Sequence, residues 1–297
     1  MKTRGIAKAM YKLFVPTLIL LASLGCGNAE TPQSATRTRG DSTQAAVPTT
    51  AKADSGAQAA PAPAPSSAGA FSGKQVPILC YHQIRDWKPT DSKSSQVYIV
   101  PVAAFKEQMK ALHDSGYEAI LPDQLMDYLQ HGKALPAKPI MLTFDDATES
   151  QITFGLPELD KAGYKAVFYI MTVVLGRPNY MTKDQVKELM QKGHVIGCHT
   201  WDHHMVTKYK GDDWKIQIEK PRALLESITG QPVKYFAYPF GLWNKDAAKH
   251  IKDYGFAAAF QLASKIDDEY PMYTIRRIIP DGHWSTARLM KEIKQDF

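Results

Sequence analysis

The chain has 297 residues, 44% of them hydrophobic and 22% charged, with only three cysteines. That is enough apolar material for one good-sized globular domain with additions, and it excludes a disulfide framework. The formal net charge of +6 overstates the basic character: Lys2, Arg4, Lys8 and Lys12 precede any acidic residue, so without residues 1–25 the count falls to about +2. That leaves no whole-molecule case for nucleic-acid binding.

Those four charges precede an apolar stretch from Leu13 to Leu24, too short for a comfortable membrane span of about 20 residues. A basic start, a short apolar run and small residues after it read as an export signal. The alternative, an N-terminal anchor helix, is weakened by Pro16. Ser23-Leu-Gly-Cys26 follows. It resembles the bacterial lipoprotein signal, in which the cysteine becomes the lipidated first residue, although Ser23 stands where that signal usually has Leu. Gly27-Asn-Ala29 is a competing small-x-small cleavage site. The expectation is a signal over 1–26, acylation of Cys26, and a membrane-anchored, exported protein of the bacterial cell envelope, periplasmic or on the cell surface. Residues 27–74 are rich in Ala, Pro, Ser, Thr and Gly and nearly lack large apolar side chains. Such a segment cannot offset its ordering entropy and reads as a flexible tether to a domain over 75–297.

From about Val76 short apolar runs alternate with amphipathic stretches. Strands are predicted over 76–82, 117–121, 139–144, 165–171, 194–199, 234–240 and 257–262. Helices are predicted over 102–115, 122–131, 150–162, 182–192, 213–228, 244–253 and 285–295. Thr182 and Asn244 are placed to open helices; Gly116, Gly132, Gly163 and Gly193 are placed to close them. Seven or so βα units argue for α/β. A doubly wound sheet is possible; a barrel is favoured, because His82, Asp145–Asp146, His199 and Tyr238 end so many strands. In a parallel barrel the strand C-termini converge on one face, where the active site lies. Cys80 and Cys198 each sit in an apolar strand-like run. One bridge is possible in an exported protein, but free buried thiols are expected.

Two segments carry chemistry. In Met141-Leu-Thr-Phe-Asp-Asp-Ala-Thr148 two carboxylates sit side by side where the chain leaves a hydrophobic run. Like charges repel, so one at least must be neutralised or paired. In His199-Thr-Trp-Asp-His-His204 the spacing of His199 and His203 predicts one helical turn that aims both imidazoles the same way. Two imidazoles and a carboxylate suit Zn²⁺, and also Co²⁺, Ni²⁺ or Fe²⁺. A divalent cation would hold Asp146 ionised and leave Asp145 free to take a proton from water. Each motif alone is weak, since a DD pair is often a solvated turn or helix cap. Together, each ending a buried strand, they are far more specific.

"TFDD" and "HTxxH" resemble the first two motifs of the polysaccharide deacetylase family, the NodB-homology carbohydrate esterases. The resemblance covers about residues 76–297 and implies a distorted (β/α)7 barrel. It implies Asp145 as general base, Asp146, His199 and His203 as metal ligands, and Thr200 as support for their loop. His204 is assigned to a place behind the ligands or on the surface. The family's third motif, Arg-x-Pro-Tyr-Gly, corresponds to Ala237-Tyr-Pro-Phe-Gly241. Arg is replaced by Ala237 and Tyr by Phe240. The Phe240 N–H is a candidate oxyanion donor, with Tyr238 on the same substrate side; the plain alternative is a Pro-Gly turn after a buried strand. Loss of the Arg resembles the branch that includes the exported poly-β-1,6-N-acetylglucosamine N-deacetylases. So does the early "LCYHQI", because no Leu-x-His occurs near the C-terminus. The simplest account is a circular permutation that moves the acid-bearing strand to the front. His82 is then the general acid and His283 its competitor. Arg276 or Arg277 would supply the missing cation, and period-two alternation lets only one of them face inward. Trp201, Trp243 and Trp284 lie near motifs, as sugar-stacking faces or as loop packing.

The implied function is metal-dependent removal of N-acetyl groups from an N-acetylglucosamine-containing cell-surface or cell-wall polysaccharide, by a monomer holding one divalent ion, zinc first. The alternatives are an O-acetyl xylan or carbohydrate esterase with the same site, and a catalytically inactive glycan-binding lipoprotein.

Overall fold

The computed structural model describes residues 75–262 and 265–297. The expected export signal over 1–26, with Cys26, and the tether over 27–74 lie outside the described residues.

Ten strands run through this part of the chain: β1 (Ile78–Tyr81), β2 (Gln83–Ile84), β3 (Ile99–Val100), β4 (Glu118–Ala119), β5 (Pro139–Asp145), β6 (Val167–Ile170), β7 (Val195–Cys198), β8 (Tyr235–Ala237), β9 (Ala258–Gln261) and β10 (Ile275–Arg276). Parallel pairing gives the order β1-β5-β6-β7-β8-β9-β10, with β4 also beside β5. Just past β10 the chain returns to β1. The Cys80 N–H donates to the Ile278 carbonyl at 2.8 Å, and the Ile278 N–H donates to the Ile78 carbonyl at 2.9 Å. This seam brings the two edges of the sheet together into a nearly closed barrel and rules out the open, doubly wound arrangement. The first strand of the ring therefore lies between β5 and the last pairing segment of the chain.

Alternation along each strand divides the core. Ile78, Met141, Val167, Tyr169, Tyr235, Ala237, Ala258, Phe260 and Ile275 form one buried cluster, inside the barrel. Their neighbours Leu79, Leu142, Phe144, Phe168, Ile170, Ile196, Phe236 and Ala259 belong to a larger one, between the strands and the helices. Those helices are α1 (Lys93–Gln96), α2 (Val102–Asp114), α3 (Pro122–His131), α4 (Leu156–Lys161), α5 (Lys183–Gln191), α6 (Lys220–Thr229), α7 (Lys245–Asp253) and α8 (Thr286–Asp296).

Most predicted helices appear within a residue or two, for the reasons their ends suggested. At α5 the Gln185 N–H donates to Thr182 Oγ1 at 3.2 Å and the Thr182 N–H donates to Gln185 Oε1 at 2.8 Å, a reciprocal capping box. At α7 the Ala247 N–H donates to Asn244 Oδ1 at 2.7 Å. Two helices differ from expectation. The predicted 150–162 and 213–228 each open with a π turn, Gln151–Gly155 and Lys215–Glu219, before α4 and α6. Pro157 and Pro221 lack the N–H that would continue an i→i−4 ladder back into the preceding turn. The parallel pair β2–β3 is not among the predicted strands. Among the described residues no helix is long and apolar enough to cross a membrane.

Candidate active site

Asp145 is the last residue of β5 and lies in register with Tyr169 of β6, on the inward face. Strict alternation would then send Asp146 outward. Instead the strand ends in two left-handed residues, Asp146 at φ 75° and Ala147 at φ 58°. This conformation is uncommon for residues other than glycine and gathers at functional sites. It swings the Asp146 carboxylate back over the barrel mouth. The Met181 N–H holds the turn by donating to the Ala147 carbonyl at 2.9 Å.

His199 follows β7. Its Nδ1 lies 2.7 Å from the Ala237 carbonyl, which takes the ring hydrogen there and turns Nε2 toward the carboxylates. Nε2 of His199 lies 3.5 Å from Asp146 Oδ1, and Nε2 of His203 lies 3.6 Å from the same oxygen. The expected helical turn is absent. Thr200 and His203 are both left-handed, at φ 67°, and the His203 N–H donates to Thr200 Oγ1 at 3.0 Å. The chain reverses over the barrel rim within five residues, which a helix cannot do, and the bend still converges the two rings. His204 is exposed and turned away, its ring edge against Tyr209.

One ligand atom each from Asp146, His199 and His203 lies within 4.8 Å of the others. Asp146 Oδ1 is buried and has no hydrogen-bond partner. Burial alone would raise the Asp146 carboxyl, but the imidazoles around it, the contact with His199 first, bring it well below its ordinary value. Burial lowers His199, and Asp145 and Asp146 more than reverse this. Burial, then His199, push His203 down to about 4, so its ring is neutral and able to ligate. The pocket thus calls for positive charge between an orphaned carboxylate oxygen and two imidazoles. These residues fit a divalent cation.

Asp145 is held from the other side. Arg277, fully buried, donates to Asp145 Oδ1 at 2.8 Å and Oδ2 at 2.7 Å, and to Thr143 Oγ1 at 3.0 Å. Burial pushes the Asp145 carboxyl up; Arg277, with help from His199, outweighs it and holds the group at about 2. The alternation past β10 therefore picks Arg277 for the interior. Arg276 faces outward, its guanidinium 3.3 Å from the Asp296 carboxylate. The guanidinium carbon of Arg277 sits 5.3 Å from the centre of the Tyr169 ring. Gly197 makes room for that ring: a Cβ there would lie 2.4 Å from Tyr169 Cδ1.

His82, one residue past β1, completes the group. Gln151 Nε2 donates to the His82 carbonyl at 2.7 Å and to the Asp145 carbonyl at 2.6 Å, tying the ends of β1 and β5 together. Nothing in the sequence marked this glutamine, one polar residue at the start of a predicted helix. Burial lowers the His82 imidazole, with Asp146 and Asp145 opposing. Cys80, also unremarked as a site residue, donates from Sγ to Asp145 Oδ2 at 3.3 Å. Both it and Cys198 are free and buried, as expected. His283 is elsewhere in its bonding: it is exposed, with Nδ1 2.9 Å from Asp281 Oδ1 and Nε2 3.1 Å from Gln96 Oε1.

The Ala237–Gly241 segment divides. Phe240, at φ 60°, presents a ring 47% exposed whose centre lies 4.3 Å from that of His203. Tyr238 does not reach the site, against expectation. Tyr235 and Ala237 face the barrel interior, so Tyr238 faces the opposite way with Phe236, fully buried in the layer beneath the helices. Of the three tryptophans, Trp201 is exposed beside the histidine loop, Trp243 donates to Gln261 Oε1 at 2.9 Å, and Trp284 packs against the outer core.

The family model for polysaccharide deacetylase matches residues 132–259. The poly-beta-1,6-N-acetyl-D-glucosamine N-deacetylase of Staphylococcus epidermidis is 26% identical over 226 residues, covering 68% of this chain and 77% of that protein. The peptidoglycan-N-acetylglucosamine deacetylase PgdA of Listeria monocytogenes is 35% identical over 120 residues, 40% of this chain but only 25% of that longer protein. Among solved structures, the Streptococcus pyogenes deacetylase PplD in complex with acetate superposes with a TM-score of 0.69 over 74% of this chain and 98% of that one, at 22% identity, a likeness of fold.

Proposed function

We propose that this chain, whose residues 132–259 match the polysaccharide deacetylase family model, hydrolyses N-acetyl groups on an N-acetylglucosamine-containing polysaccharide of the cell surface or wall. One observation carries the reading: a carboxylate clamped by a buried arginine, Asp145, stands beside the Asp146–His199–His203 group that fits a cation. One relative named above is a deacetylase of poly-beta-1,6-N-acetyl-D-glucosamine and the other of peptidoglycan N-acetylglucosamine, and the N-acetylglucosamine acetamido group is common to both.

A divalent ion held by Asp146, His199 and His203, zinc by first preference, supplies Lewis-acid polarisation of the acetyl carbonyl and makes water a better nucleophile. The rest is work for this chain's side chains. Arg277 keeps Asp145 ionised in a buried site and fixes its plane, so that it takes the proton of the attacking water. The Phe240 N–H is assigned as donor to the oxyanion that forms on the carbonyl oxygen. His82, having taken a proton from solvent before turnover, gives it to the departing sugar nitrogen, and the proton that Asp145 took from water returns to solvent; burial lowers the His82 imidazole and so favours the transfer. Acetate and a free amine result.

The position of β1 supports reading the barrel as circularly permuted, with the acid-bearing strand first. Arg277 answers the doubt raised by Ala237, since a cation reaches Asp145 from a different strand. This weakens the inactive-lectin alternative. Acylation at Cys26, export to the envelope and a monomeric state belong to the same proposal; fatty-acid labelling of wild type but not Cys26→Ser tests the anchor.

Acetate release over a panel of poly-N-acetylglucosamine, peptidoglycan, chitin oligomers and O-acetylated xylan, with chelated and metal-restored protein, tests the function. Release from N-acetylated glycans that is lost on chelation and returns with metal is the expected result. Release from O-acetylated xylan alone would replace the reading with an esterase.

A further inference from the structure

Beside the first cluster lies a second. One ligand atom each from Cys80, His82 and Asp145 lies within 4.8 Å of the others. Its donors are a thiol, an imidazole and a carboxylate, whereas the Asp146–His199–His203 group has no sulfur. Nδ1 of His82 is buried and has no hydrogen-bond partner. Cys80 is fully buried, and His82, mostly buried, forms the more open side of the cluster.

We propose that Cys80, His82 and Asp145 form a second cation site, selective for a soft divalent ion such as Cd²⁺ or Zn²⁺ in excess, and that filling it shuts the enzyme down. Softness sets the preference: a thiolate favours Cd²⁺ and Zn²⁺ over Mg²⁺ or Mn²⁺. The Sγ–Oδ2 contact of 3.3 Å already holds a proton between the two atoms. The entering ion takes that proton's place. A metal–sulfur bond forms, the proton leaves to solvent, and no oxidation occurs. Oδ2 also accepts from Arg277 at 2.7 Å, so the ion competes with one of the two arginine contacts, while Oδ1 keeps its bond at 2.8 Å. That competition makes the site weaker than its neighbour and confines its effect to excess metal. Inhibition follows from the shared ligands and rests on the proposed roles of Asp145 and His82: an ion there occupies base and acid at once.

The test uses the full chain, loaded with one equivalent of Zn²⁺ and then titrated with Cd²⁺. Two readouts are followed: the ultraviolet sulfur-to-cadmium charge-transfer band, and acetate release relative to the same protein without Cd²⁺. Wild type is expected to gain the band and lose activity over the same Cd²⁺ range. Cys80→Ser and Cys80→Ala are expected to lose that component of the band and to need about tenfold more Cd²⁺ for the same fractional inhibition. Cys198→Ser, altered on the outer face of the sheet, is expected to keep both responses. Should the band be missing in wild type, or persist unchanged in both Cys80 variants, the site does not exist. Inhibition unchanged in both variants places the inhibitory ion elsewhere and overturns the proposal. If Cys80→Ser unfolds, Cys80→Ala decides alone. A Cys80-dependent band in a protein that releases acetate from no substrate leaves the site standing and removes the proposed function instead.

Discussion

At the end of the barrel where the strands begin, Ile78, Met141, Val167, Ala258 and Ile275 fill the interior; two to four residues further along the same strands stand Cys80, His82, Thr143, Asp145 and Arg277. The same ladder, with the same alternation, builds a dry floor and a charged mouth. The contrast explains how a buried arginine–aspartate pair persists. Apolar side chains beneath keep water away, so the attraction acts in a low dielectric, and two parallel hydrogen bonds offset the cost of desolvation. The floor resists collapse, and the mouth holds charge in place for chemistry.

The largest effect is expected at the mouth. His82→Ala should lower acetate release by about a hundredfold or more, as loss of a general acid does. His283→Ala, altered on an exposed loop, should leave it nearly unchanged. The reverse result would move the acid to the late loop. Next comes the link between the two ends. Arg277→Met removes one partner of a buried pair and should cost about 3–5 kcal/mol in denaturant unfolding; a loss under about 1 kcal/mol would mean that water reaches Asp145 and that the floor is not dry. Within the barrel wall, Gly197→Ala drives a methyl group into the Tyr169 ring that backs Arg277. A cost of about 1–3 kcal/mol is expected from overpacking, with slower turnover and unchanged zinc stoichiometry.

The smallest effect lies outside both ends. His194 is buried beneath the helices, where its Nδ1 accepts from the Ala166 N–H at 3.1 Å and burial, then Lys165, lower it to about 4. Its ordinary value is near 6.5, so the unfolded chain binds the proton more tightly. The stability from keeping it neutral is complete above that value and is lost as pH falls toward about 4. Between pH 7 and pH 5 the change is on the order of 2 kcal/mol. Asn at this position keeps an acceptor and cannot titrate. Urea unfolding of His194→Asn should therefore show a smaller loss between those two pH values; an equal loss would assign the acid sensitivity to the mouth.

Much of the floor was legible and less of the mouth. Short apolar runs located seven strands within about three residues, and Thr182, Asn244 and the closing glycines located helix ends, because these signals are local. The order of the strands, the seam at Ile278 and the pair β2–β3 depend on contacts far apart in sequence. At the mouth, the residue types in "TFDD" and "HTxxH" pointed to a cation site, but the geometry was misread. A spacing of four suggested a helix, and two non-glycine residues in left-handed conformation gave a bend. Asp146 broke alternation in the same way. Tyr238 shows the opposite lesson: period two, applied to the motif position of Ala237, already sent it outward. Arg277 could not be told from Arg276 while the register of β10 was unknown.

The seam has a consequence for how the site comes into being. Asp145 lies near the middle of the chain, but its counter-ion arrives on almost the last pairing segment, at Arg277, and the same segment closes the ring against the first strand through Ile278. Until that segment docks, β1 lacks one of its two neighbours and a carboxylate faces the interior without a partner. Assembly of the hydrolytic centre and completion of the fold are therefore one event. Without that segment the chain still carries Asp145, Asp146, His199 and His203 but lacks the guanidinium that balances Asp145.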